Sequence, residues 1–221
     1  MRIVRDGYSL LIGTAALFGG LAIGAALLNW IVVACILAGI GVVGLAFFLY
    51  FFRDPERTAP ADANVIVSGA DGIVRAVEPI REDRYLKVDT IRISIFLNPF
   101  DVHVNRAPIG GIVKGLAYTP GKHLLTISNA SSEHNEHSSI LIEGSATRCL
   151  VRQIVGPVVR RVVYWLDMDQ NLNMGDRIGM MKFGSRMDIY LPATDVEVAV
   201  KKGDRVMAGI TVIARLRKEA K

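Results

Sequence analysis

The sequence is poor in cysteine. Cys35 and Cys149 are its only two, one inside an apolar run and the other far beyond it. That excludes a disulfide-dense scaffold and a four-cysteine zinc site, and nothing suggests that the two pair. Charge is missing altogether from Gly7 to Phe52, a run of 46 residues. A chain with such a gap is neither disordered nor an ordinary cytosolic globule. After Phe52 there is no long amphipathic pattern of helical period, no repeat and no low-complexity linker.

The uncharged run is about twice what one membrane crossing needs, since a bilayer core of roughly 30 Å takes about 20 residues at 1.5 Å rise. Its middle holds Asn29-Trp30, a polar residue and an interfacial aromatic. We therefore expect a transmembrane helical hairpin over residues 1–52, with helices at about 8–28 and 31–52. The run is far too long for a signal-peptide core. Arg2 and Arg5 precede it and Arg53 follows, so the positive-inside rule places both ends in the cytoplasm. One long tilted span is the alternative, and it would put the remainder outside the cell. Gly20 and Gly24 are spaced for a close helix contact.

Residues 53–221 read as one β-rich domain joined to the hairpin near Pro60–Asn64. Thr90–Ile95 alternates apolar and polar residues, and shorter β-branched runs cover Asn64–Val67, Gly111–Tyr118, Ser139–Glu143, Val158–Trp165 and Val196–Val200. Asp71-Gly72, Asn98-Pro99, Pro120-Gly121 and Gly203-Asp204 separate them as turns. The expected fold is mainly β, an α+β sandwich or barrel-like hybrid. The formal charge of +5 lies mostly in this part. Beside a membrane it would attract anionic headgroups.

Two strand-like runs meet at Gly184-Ser185. By itself that is a turn, and the surroundings are not a Gly-x-Ser-x-Gly elbow. A Gly-Ser bond has a second chemistry, however. If strain bends it, the serine hydroxyl can attack the preceding carbonyl. The resulting ester can eliminate and hydrolyse to leave a pyruvoyl group, and glycine tolerates the geometry required.

Five blocks occur in order: Phe52–Arg57, Ser68–Gly72, Phe96–Pro108, Gln153–Gly156 and Phe183–Arg186. Together they resemble the phosphatidylserine decarboxylase family in its short, archaeal-type proenzyme form, over nearly the whole chain beyond Phe52. The resemblance implies self-cleavage between residues 184 and 185 into a β chain (1–184) and an α chain (185–221). The two remain together as a heterodimer. Ser185 becomes a covalent pyruvoyl cofactor, with no external cofactor required. The ketone then forms a Schiff base with phosphatidylserine, which loses CO2 to give phosphatidylethanolamine. The implied partners are that lipid and the chain's own two fragments, with homo-oligomerisation open and no nucleic acid. The implied location is the cytoplasmic face of the cell (inner) membrane.

Asp71 alone reads as a turn residue. The resemblance makes it a candidate for assisting Ser185 activation or for orienting a base, and it puts His103 beside the pyruvoyl group as carboxylate holder or proton donor. Longer relatives carry a second histidine three positions after His103; here Arg106 stands there. Arginine is no base at ordinary pH, but it can hold a carboxylate or phosphate, so Arg106 is a candidate substrate ligand. His134 and His137 read as loop residues. His123, His134, His137, Glu133 and Glu136 match no metal-ligand spacing, and we expect no metal. The hairpin around Lys201–Gly209 resembles those of lipoyl and biotinyl carriers. A membrane-tethered carrier without enzymatic activity is therefore the competing reading.

Overall fold

A helix that is apolar all round must be covered by protein or by lipid. The uncharged run forms two such helices, α1 (Tyr8–Leu27) and α2 (Ile31–Phe51), joined through Asn29 at a positive φ of 60°. The computed structural model describes residues 2–122, 135–156, 162–182 and 185–217. Both helices are long and apolar enough to cross a membrane, and most of their side chains are uncovered. Short strands β1 (Arg2–Ile3) and β2 (Arg53–Asp54) pair antiparallel and close the hairpin's open end.

The helices touch at a place other than the expected one. Nothing lies within 4 Å of a Cβ built on Gly20 or Gly24. A Cβ on Gly41 would lie 2.8 Å from Cβ of Phe18, and one on Gly44 would lie 3.4 Å from Cγ2 of Thr14. The small residues of α2 receive larger side chains of α1, so the contact needs glycine on one helix only.

Contacts separate Met1–Glu56 from Arg57–Lys221. In chain order the second unit contains β3 (Val65–Val67), β4 (Gly72–Glu82), β5 (Val88–Phe96), β6 (Val104–Arg106), β7 (Gly111–Thr119), β8 (His137–Glu143), β9 (Arg148–Ile154), β10 (Val162–Tyr164), β11 (Asn171–Leu172), β12 (Arg177–Met181), β13 (Arg186–Pro192), β14 (Val196–Val198), β15 (Arg205–Val206) and β16 (Val212–Leu216). Eight form one antiparallel sheet in the order β11-β7-β8-β9-β13-β5-β4-β15, curled into a half-barrel. Two three-stranded sheets, β10-β12-β6 and β14-β16-β3, complete the unit. The mainly β class expected from the alternation is the class observed.

Period two decides which side chains meet. Ile93 and Ile95 of β5, Ile140 and Ile142 of β8, Val151 of β9 and Met187, Ile189 and Leu191 of β13 share one face. They pack into a common core with Ile66, Ile178, Met181 and Ala214 from the small sheets. The intervening residues form the other face. Such a face is ordinarily wet, yet Arg92, Arg186 and Asp188 are buried there. They are buried as partners. Arg186 Nε donates to Asp188 at 2.6 Å, Arg186 Nη2 to Ser94 Oγ at 2.7 Å and Arg92 to Glu78 at 2.6 Å. Leu86, from the loop after β4, packs with Leu150 and Tyr190 over this face. Glu82 fixes the loop by accepting from the amides of Tyr85 and Leu86, each at 2.7 Å.

His137 is the first residue of β8, buried and opposite Ile154, rather than a loop residue. Its register beside β9 includes it in the sheet. His123, Glu133 and His134 lie outside the described residues.

Candidate active site

Antiparallel pairing brings distant segments to one end of the large sheet. At that end β4 and β13 begin, β5 and β9 end, and β8 begins. Asp71 stands just before β4, Ser185 just before β13, and His103 in the connection from β5 to β6. Gly72 must be glycine there: at φ 150° an added Cβ would lie 2.1 Å from the carbonyl oxygen of Phe96. This close approach, not a hairpin turn, is what the Asp71-Gly72 pair serves.

Ser185 is fully buried, and its carbonyl accepts from the amide of Leu97 at 2.9 Å. Its hydroxyl is buried with no hydrogen-bond partner among the described residues. Gly184 lies outside them. A buried, unengaged hydroxyl is costly unless it has a use.

The connection carrying His103 is rigid. The Asp101 amide donates to the Asn98 carbonyl at 2.9 Å, and the Asn98 amide donates to the Asp101 carboxylate at 2.8 Å. His103 is fully buried, and its Nδ1 lies 3.0 Å from the Asp101 carbonyl oxygen. A carbonyl only accepts, so Nδ1 bears the proton and, in the neutral ring, Nε2 carries the lone pair. The backbone carbonyl of His103 accepts from Met181, just ahead of the Gly184-Ser185 segment.

The structure brings Asp71, His103 and Ser185 to one end of the sheet and gives Asp71 a partner that the sequence did not suggest. Arg57 grips its carboxylate with both arms, at 2.5 and 2.8 Å, and the Ala208 amide donates to it at 2.8 Å. Arg57 also donates to the Ala208 carbonyl at 2.8 Å. Arg57 lies within the first of the five blocks, but sequence alone gives it no role; only the fold brings it to Asp71, 14 residues along the chain.

Arg106 sits on β6, buried, with Nη1 donating to the Gly175 carbonyl at 2.9 Å. Its aliphatic part packs against Gly209, where an added Cβ would come within 2.8 Å of Arg106 Cδ. Asn105 and Gln153 also gain roles. Ser138 donates to Gln153, and Gln153 donates to Asn105, both at 2.7 Å, so one buried relay links β8, β9 and β6.

Burial, followed by the cations Arg152 and Arg84, holds the His137 imidazole below its ordinary range, against the pull of the Asn135 carbonyl. Burial alone pushes the Cys149 thiol up. Among the described residues no group of three or more His, Cys, Asp or Glu is placed to hold a metal ion.

All five sequence blocks thus supply this one end of the unit: Arg57 reaches Asp71, Gly72 abuts Phe96, Leu97 binds Ser185, and Ile154 pairs with Arg186. The family model described as phosphatidylserine decarboxylase matches residues 45–214. The chain belongs to the phosphatidylserine decarboxylase family. Among curated relatives named phosphatidylserine decarboxylase proenzyme, that of Carboxydothermus hydrogenoformans is 47% identical over 171 residues, covering 77% of this chain and 80% of the relative. That of Desulfotalea psychrophila is 41% identical over 182 residues, covering 82% and 85%. The protein of Symbiobacterium thermophilum is 40% identical over 215 residues, covering 97% and 95%, so the likeness extends through the helical hairpin. Membership in a decarboxylase family leaves the carrier reading without support.

Proposed function

We propose that this chain is a membrane-tethered phosphatidylserine decarboxylase that matures by cleaving itself between Gly184 and Ser185. What carries the reading is the buried Ser185 hydroxyl, unengaged among the described residues, at the point where all five family blocks meet. In maturation the Ser185 oxygen adds to the Gly184 carbonyl, and the amide nitrogen takes up the proton as the ester forms. Elimination then releases the Gly184 carboxylate, and hydrolysis of the remaining enamine frees ammonia and leaves a ketone. Nothing but the chain and water is consumed.

The pyruvoyl ketone supplies an electron sink for loss of CO2 from a bound amino acid headgroup. The surrounding residues fit such a group, because Ser185 is enclosed and its carbonyl is fixed by Leu97. His103, with its proton on Nδ1 and a lone pair on Nε2, is suited to carry a proton to or from the reacting carbon. Asp71, locked by Arg57, supplies fixed negative charge at the sheet end. Arg106 is the candidate holder of a substrate carboxylate or phosphate. The helical hairpin lies in the inner membrane with this unit on the cytoplasmic side, where an anionic lipid substrate is within reach.

Intact mass spectrometry of membrane-purified protein tests the reading. The wild type is expected as fragments 1–184 and 185–221, the latter beginning with a pyruvoyl mass. Ser185→Ala is expected as one inactive chain. Splitting at that bond in Ser185→Ala overturns the proposal.

A further inference from the structure

We infer that the decarboxylase unit carries its own bilayer-contacting rim, formed by Phe100, Met207 and Ile210 with the cations Arg75, Lys201, Lys202 and Arg205, and that its partner is an anionic phospholipid surface. The inference rests on the proposed function, because it names how the site meets its lipid.

Phe100 is 64% exposed at the tip of the Asn98–Asp101 turn. Single exposed apolar residues are ordinary on protein surfaces; this one is unusual in how firmly it is presented. Besides the two bonds closing the turn, the Phe100 amide donates to Asn98 Oδ1 at 3.1 Å. Three hydrogen bonds, one of them from the Phe100 amide, thus fix the turn that holds this ring outward.

The neighbouring loop repeats the pattern. Val206 is buried, so alternation turns Arg205 and Met207 outward, with Met207 48% exposed. Ile210 follows one turn later, its amide donating to the Met207 carbonyl at 3.2 Å. Arg205 ties the two apolar tips together by donating to Asp101 at 2.7 Å. The same loop is clamped at Ala208 by Asp71 and Arg57. The rim is thus fastened on one side to Asp71 and on the other to the connection that leads to His103.

Charge favours an anionic lipid surface over an apolar protein partner. Arg75 lies over the Phe96 ring at 5.1 Å, beside a pocket of about 280 Å³ that also borders on Asn98, Phe100 and Arg205. Lys201 and Lys202 are exposed in the next turn, which is bonded to β4 through Gly203 and Val74 at 2.8 Å. With Arg205 paired to Asp101, the apolar tips are flanked by Arg75, Lys201 and Lys202, which matches the headgroup boundary, where rings bury and arginine and lysine meet phosphate.

The test uses the full chain in vesicles. An environment-sensitive fluorophore is placed by Phe100→Cys, Met207→Cys or, at the opposite end of the sheet, Ser145→Cys, each in a Cys35→Ser background. Vesicles contain phosphatidylcholine with or without one-quarter phosphatidylglycerol. At positions 100 and 207 we expect quenching by spin-labelled acyl chains several-fold stronger than at 145, with the reverse order for aqueous iodide. Omitting phosphatidylglycerol or adding 1 M salt should reduce the immersion, since exposed charges are screened within about 3 Å at that strength. If both rim positions behave like 145 in anionic vesicles, the rim is overturned. Repeating the measurement in Ser185→Ala separates the two ideas: immersion that persists there supports the rim whatever the decarboxylation assay gives. Normal splitting and CO2 release without immersion leave the proposed function standing and remove the rim.

Discussion

Asp71 and Arg57 form a pair whose side chains are only 12% and 7% exposed. Removing one member of such a pair leaves an uncompensated buried charge, typically costing about 3–5 kcal/mol. Arg57→Leu should therefore lower the thermal midpoint and slow chain splitting at least as much as Asp71→Asn. The double variant should be less impaired than the summed single effects, as read by splitting time courses and melting curves. His103 separates maturation from turnover. His103→Ala should still split at least in part but lose most decarboxylation per pyruvoyl group, by roughly 10²–10⁴-fold, the usual worth of a placed proton carrier. Complete failure to split would make His103 the maturation base. His137 gives a pH signature. Its folded pKa is depressed, so the unfolded chain takes up the proton first. The stability it contributes is present above about 6.5 and is lost as pH falls from there toward the folded value. Melting points of the wild type should drop between pH 7.5 and 5, and His137→Asn should flatten that part of the curve.

At the scale of elements, β9 and β13 carry the site because each is hydrogen-bonded on both sides. The Ser138–Gln153–Asn105 relay extends that rigidity to β6. Gln153→Leu strands two buried polar partners at about 1–3 kcal/mol each and should destabilise far more than Gln170→Leu, where a half-buried side chain loses only an exposed bond from the Asp167 amide, measured by thermal unfolding. In the helical hairpin, Gly41→Leu should splay α1 from α2 whereas Gly20→Leu should be tolerated, as read by disulfide trapping of cysteine pairs across the helices. The alternation of Thr90–Ile95 was visible in the sequence and became β5. The run after Gly72 was less visible, because Pro79 reads as a strand breaker. Proline is allowed there since β15 pairs with β4 only at Gly72 and Ile73, leaving the edge at Pro79 open. The buried polar face was also illegible. Arg92 and Asp188 look solvated by type, and only long-range register gives them partners. The site followed the same rule: Ser185, Asp71 and His103 were named by family blocks, but the Arg57 grip depends on a contact no local pattern encodes.

At the scale of the whole molecule, the hairpin and the basic unit make a topology that can be measured. Cysteines at Asp6 and near Lys221 should both resist an impermeant thiol reagent in intact cells; labelling of the second alone would establish a single crossing. A larger consequence comes from where Ser185 stands in the sheet. β13 is an interior strand, flanked by β9 and β5, and β15 and β16 lie on the same side of the Gly184-Ser185 bond in sequence. A chain cut there keeps its two pieces knitted strand by strand, yet it has exchanged a unimolecular folding problem for a bimolecular one. Unfolding of the cut form should depend on concentration, and dilution of denatured fragments should not restore activity. The uncut Ser185→Ala chain should refold from the same treatment. Such an enzyme is assembled once, from an intact precursor, and its working lifetime ends with its first complete unfolding.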